Sequence, residues 1–208
     1  MEAIWLVFTA SARLTFRRIG LLMVVNVLWW LFSLPLVTWP PATAALYHVA
    51  QRLTHLEESE QTTWRHFFDG LGIYGLRSWQ LMAADAAMAV ALVVSFLFYF
   101  GQSHLALRWL SIPILCLITL WGGMQLYLFP LLIEQEDKRV PLVFRNAFVL
   151  ALGNPSFTFP LGLLLTAVTV IGVTLAGPVL FILISFLAVT QTLALQKLLA
   201  IRRQGDAL

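Results

Sequence analysis

The sequence predicts an all-α fold, a polytopic membrane helix bundle of four to five membrane segments with two amphipathic connection helices. Three observations carry this expectation. Residues Gly20 to Pro41 (GLLMVVNVLWWLFSLPLVTWPP) contain no charge. At about 1.5 Å rise per residue, roughly twenty such residues cross a hydrocarbon core about 30 Å thick. Four more apolar stretches follow, at Leu81–Phe100, Leu110–Ile133, Phe157–Ala176 and Pro178–Leu195. Finally, 60% of the 208 residues are hydrophobic and only 11% are charged, with a mean hydropathy of +0.86, whereas soluble domains carry roughly 25% charged residues. No Ser-rich or Gly-rich linker divides the chain, so residues 1–208 read as one membrane domain.

Residues 1–19 place Ile4, Trp5, Phe8, Ala12 and Phe16 at helical spacing beside Arg13, Arg17 and Arg18. This pattern fits a helix lying in the membrane interface, or equally a helix packed on the bundle. It does not read as a cleavable signal, because the apolar run precedes the arginines.

In the first membrane segment, residues 20–41, Ser33, Pro35, Thr38, Pro40 and Pro41 crowd the second half. Each Pro removes a backbone donor and disfavours continued helix. A break is expected there, followed by a new helix over residues 44–56 capped by Thr43. Two readings stand, a full span ending at Pro40 or a dip into the membrane and back.

The connection that follows carries Glu57, Glu58 and Glu60 and an aromatic-rich stretch, Trp64–Trp79. Segment 81–100 contains Asp85, segment 110–133 contains the single Cys116, and a second connection carries Glu134, Glu136, Asp137 and an amphipathic stretch from Leu142 to Phe157. Segments 157–176 and 178–195 are separated only by Gly177 and Pro178. The order of apolar helix, proline, acidic patch, amphipathic helix and apolar helix occurs twice, so residues 20–100 and 110–176 read as a weak tandem repeat.

Of the thirteen Lys and Arg residues, Arg52, Arg65, Arg77, Lys138, Arg139, Arg145, Lys197, Arg202 and Arg203 lie in the two connections and the C-terminus. Cytoplasmic segments accumulate such residues. The connections 45–79 and 134–156 and the C-terminus are therefore expected in the cytoplasm. If segment 20–41 re-enters, Arg13, Arg17 and Arg18 join them, and Arg108 alone remains outside. The formal net charge of +3 thus follows from membrane topology and does not point to nucleic acid.

Motifs that carry chemistry are sparse. One Cys cannot form an intramolecular disulfide. His48, His55, His66 and His104 form no ligand box, and no Gly-x-Ser-x-Gly, Ser-x-x-Lys or Gly-Lys-Ser/Thr sequence occurs, so no metal, no cofactor and no enzymatic activity are expected. Asp85 stands apart, since a carboxylate in an apolar span costs at least about 2.5–3.5 kcal/mol at the bilayer centre. It reads either as part of a polar pathway with Asn26, or as an interfacial residue about one turn into its helix, partnered by Arg77, Trp79 or Gln80. Gln102, Gln125 and Gln191 are the other polar groups expected to bridge helices or line a path.

Asn26, Trp29, the run Leu31–Pro35 (LFSLP), Thr38 and the run Pro41–Tyr47 (PATAALY), followed by Trp64, Phe67 and Phe68, resemble the YesL-like family of bacterial multi-pass membrane proteins (domain of unknown function 624). The resemblance runs from about Gly20 to Arg202. It implies a bacterial plasma membrane protein associated with carbohydrate uptake, with a membrane transport system as candidate partner, and it brings no settled activity. It marks Asn26, Trp29, Ser33, Pro35, Thr38, Pro41 and Thr43 as the motif to examine, with Asp85 beside it. The expected function is a non-catalytic accessory or scaffold protein in the lipid bilayer, with a small transporter or channel subunit as the alternative.

Overall fold

A computed structural model describes residues 2–55, 59–175 and 180–205. Among these residues every regular element is helical: α1 Glu2–Arg17, α2 Ile19–Ser33, α3 Trp39–Thr54, α4 Arg65–Phe100, α5 Leu105–Trp109, α6 Ser111–Met124, α7 Leu128–Glu134, α8 Val140–Gly153, α9 Pro155–Thr174 and α10 Leu180–Gly205. Among the described residues four spans are long and apolar enough to cross a membrane: α4, α5 with α6, α9, and α10 from Phe181 to Arg203. A fifth is reached if α1 and α2, bent by 91° at Arg18, count as one.

α3 is the hub. Its Ala42, Ala44, Ala45, Leu46, Val49, Ala50 and Leu53 are all buried, and it packs on α2, α4, α7 and α10. Because lipid tails are as apolar as Leu, helices in a bilayer gain little from hydrophobicity when they meet, so small residues that allow close approach decide the packing. Gly70 of α4 meets this need, since a Cβ there would lie 2.8 Å from Ala45 Cα and 3.1 Å from His48 Cβ. That contact and the bond from Trp79 Nε1 to the Val37 carbonyl (2.7 Å) show α3 and the first half of α4 running antiparallel.

α7 and α10 run in the same direction as α3. Tyr47 stacks on Phe129 (5.5 Å between centroids) and Gln51 reaches Glu134 (2.8 Å). The Tyr47 hydroxyl donates to Gln191 Oε1, and Gln196 Nε2 donates to Thr54 (2.9 Å). A second core gathers Tyr127, Leu131 and Leu132 with Val143, Ala147 and Ala151 of α8, Leu161 of α9 and Leu195 of α10.

The helix boundaries shift from those expected at three places, and α1 shows which of its faces is packed. α1 buries Ile4, Val7, Ser11 and Thr15 and turns Trp5 (65% exposed) and Phe16 (75% exposed) outward, because the stripe with small hydroxyl residues fits closely against α10. The aromatic-rich connection helix at 64–79 is not separate but the first half of the 36-residue α4, since no proline or cap interrupts the chain at Gln80. Segment 110–133 is divided at residues 125–127 into α6 and α7, so that α7 can lie along α3. The last two segments run from Pro155 and Leu180, with Asn154 and Pro155 parting α8 from α9. Glu57 and Glu58 of the acidic patch, and Gly177 and Pro178, lie outside the described residues.

The glycines of α4 give a contrast that can be measured. Gly70→Ala forces a methyl into the α3 backbone and should cost about 1–3 kcal/mol, read as a lower melting temperature in detergent. A Cβ at Gly72 or Gly75 would meet nothing within 4 Å. Gly72→Ala and Gly75→Ala should therefore leave stability unchanged or raise it by up to about 1 kcal/mol.

Candidate functional site

The break between α2 and α3 is built by the residues that carry the family resemblance. Pro35 follows the end of α2, where helix is no longer required, and Pro40 and Pro41 occupy the first turn of α3, where the backbone N–H groups have no helical acceptor in any case. The Thr38 amide donates to the Pro35 carbonyl (2.9 Å). The Thr38 hydroxyl lies 2.5 Å from the Phe32 carbonyl and 3.0 Å from that of Pro35, so its proton serves the last carbonyls of the broken turn. In a membrane such carbonyls must be satisfied within the protein.

Thr43 does not cap α3, contrary to the sequence expectation. α3 already begins at Trp39, and the Thr43 hydroxyl donates to the Trp39 carbonyl (3.0 Å) while accepting Trp29 Nε1 (3.1 Å). Trp29, Pro35, Thr38, Pro41 and Thr43 thus form one clasp holding α2 to α3, with Ser33 at the end of α2. The uninterrupted helix from Gly20 to Leu56 that would contradict a break is not formed.

Asp85 stands outside this clasp. It is the twenty-first residue of α4 and not one turn into a helix, and its partners are not those expected. Trp121 Nε1 (2.9 Å) and Gln125 Nε2 (2.8 Å), both from the α6 region, donate to its Oδ1. Arg77 instead donates to Gln80 (3.1 Å), and Trp79 to Val37. The half-buried carboxylate is therefore a tie between α4 and α6. Asn26 is buried on α2, which packs chiefly on α3, α10 and α1, so the structure does not bring it to Asp85.

Other polar groups also join helices. Gln125 and Gln191 bridge as described, whereas Gln102 donates to the Phe98 carbonyl of its own helix (3.2 Å). Tyr127 and Thr158 share a buried bond (2.8 Å) whose partners the sequence did not single out together. At one end of the molecule Glu134 meets both Gln51 and His55, the latter at 3.7 Å. Lys138 there reaches the Ile133 carbonyl and lies over the Tyr74 ring. Burial holds its ammonium below the usual lysine range, and nearby Glu134 partly opposes that shift. His48 packs against the Tyr74 ring.

Helices long and apolar enough to span a membrane, joined through buried polar bonds, define the class as a multi-pass membrane helix bundle. Residues 22–101 match the model of a family described as "Protein of unknown function, DUF624", so the YesL-like resemblance holds over α2, the clasp, α3 and α4. No curated protein and no solved structure matches the chain.

Variants of Asp85 separate a tie from an ionisable function. Asp85→Asn retains an Oδ1 that can accept both donors and should melt within about 1 kcal/mol of the wild type. Asp85→Leu leaves Trp121 and Gln125 without their acceptor and should cost about 1–3 kcal/mol. Thermal unfolding in detergent measures both.

Proposed function

We propose that the chain is a non-catalytic accessory or scaffold protein of the bacterial plasma membrane, linked through its family resemblance to carbohydrate uptake. The observation that carries this reading is the use made of Asp85. The carboxylate in the apolar part of α4 is occupied by two side-chain donors of the neighbouring helix, as a structural tie would be. A transporter or channel built on Asp85 and Asn26 needs both on one polar path, and their separation on α4 and α2 weighs against that alternative.

The reading includes an orientation. Gln51, His55 and Glu134 bring the ends of the two connections together, and Thr54 bonds Gln196 beside Lys197 of α10. Arg52, Lys138 and Lys197 neighbour these bonded residues, and the preference of cytoplasmic segments for Lys and Arg supports a cytoplasmic location for that end.

The orientation is tested by single cysteines at Glu60, Glu136 and Arg202 in a Cys116→Ser background. All three should resist an impermeant thiol reagent in intact cells and react after permeabilisation; labelling of any one from outside overturns it. The scaffold reading is tested by Asp85→Asn in a strain whose own copy is deleted. It should complement the deletion as fully as the wild-type copy does, and failure by a folded, inserted Asp85→Asn protein would replace this reading with an ion-coupled one.

A further inference from the structure

A cleft of about 510 Å³ opens between α6, α9 and α10, apart from the clasp and sharing only Gln125 with the Asp85 tie. Its lining residues belong to, or directly follow, three of the candidate spans, so it faces the hydrocarbon region of the bilayer. Six hydrogen-bonding side chains line it: Thr119, Gln125, Thr158, Thr166, Thr169 and Gln191. Among the described residues no ionisable side chain does.

The bonds already made determine what these groups still offer. Thr119, Thr166 and Thr169 donate their protons to the Leu115, Gly162 and Leu165 carbonyls (2.9, 2.8 and 2.8 Å), which leaves each hydroxyl oxygen as an acceptor. Gln125 commits its Nε2 to Asp85 and keeps Oε1 as an acceptor. Gln191 receives the Tyr47 hydroxyl on Oε1 and keeps the N–H donors of Nε2. The cleft therefore presents a donor and several acceptors with no fixed charge.

Gly122 gives a position from which the cleft can be filled. Gly122 lines the cleft, and a Cβ on it would meet nothing within 4 Å. A glycine inside a helix is less favourable than alanine, and no neighbouring helix requires this one for close packing. A side chain here would extend into the open space of the cleft.

We infer that this cleft binds a neutral, hydroxyl-bearing lipid of the diacylglycerol class. A lipid hydroxyl both donates and accepts, which suits Gln191 Nε2 on one side and Gln125 Oε1 or a threonine oxygen on the other. A zwitterionic or anionic head would meet no counter-charge and would lose its hydration on leaving the headgroup layer. The acyl chains find Leu126, Leu163 and Leu187 on the remaining walls. A helix of a second copy is the competing occupant, because threonine and glycine faces also serve helix association.

The test uses the full chain in phosphatidylcholine nanodiscs carrying a photoreactive diacylglycerol, or in parallel a photoreactive phosphatidylcholine with the same chains. The diacylglycerol probe should label peptides containing residues 119–126, 158–170 and 187–191 several-fold more than the phosphatidylcholine probe. Gly122→Leu, which fills open space, and Gln191→Leu, which removes the donor, should each lower that labelling about fivefold or more. Should Gln191→Leu fail to fold, Gly122→Leu decides alone. Equal labelling by the two probes, unchanged labelling in Gly122→Leu, or crosslinks between two copies through this face would overturn the inference.

Discussion

The helices that meet α3 are arranged around its close approach to α4. Within a bilayer, contact between helices must come from dispersion and from buried polar bonds, and both favour backbones that nearly touch. Ala45 on one helix and Gly70 on the other provide that approach. Once α3 is buried there, α2 has to reverse onto it, α7 has to leave the line of α6 to lie beside it, and α10 has to run along it. The clasp at residues 29–43 and the divided segment at 125–127 are consequences of that one packing requirement.

Polar residues in the apolar part of the chain are used sparingly and for joining. Thr38 serves the carbonyls left by the break, Trp29 pins α2 to α3 through Thr43, and Asp85 pins α4 to α6 through Trp121 and Gln125. A carboxylate that accepts two neutral donors is stabilised without a counter-charge, and its removal harms the donors more than its neutralisation does. The family motif is thus explained by backbone accounting at a proline break. Function, where this chain carries any beyond assembly, is better sought at the polar cleft and at the charged end of the bundle.

Much of the fold was legible from composition and period, because runs of about twenty apolar residues have few alternatives in a membrane. The break was equally legible, since Pro35, Pro40 and Pro41 leave no other course for the backbone. What could not be read was whatever depends on partners distant in sequence. Asp85 meets Trp121 and Gln125, 36 and 40 residues away, and neither residue type in an apolar run announces such a bond. The continuity of α4 was hidden because composition changes at residue 80 from amphipathic to wholly apolar, whereas no proline or cap there ends the helix.

The most direct measurement of the α3–α4 packing is a bridging experiment across it. Cysteines replacing His48 and Tyr74, whose rings lie 5.6 Å apart, would be treated with a short bis-maleimide in native membranes, in a Cys116→Ser background. This pair should bridge within a single chain, in high yield, while a pair replacing His48 and Val94, on the outer half of α4, should not. Failure of the first pair to bridge in a folded protein, or equal bridging of both, would contradict the central place given to this contact.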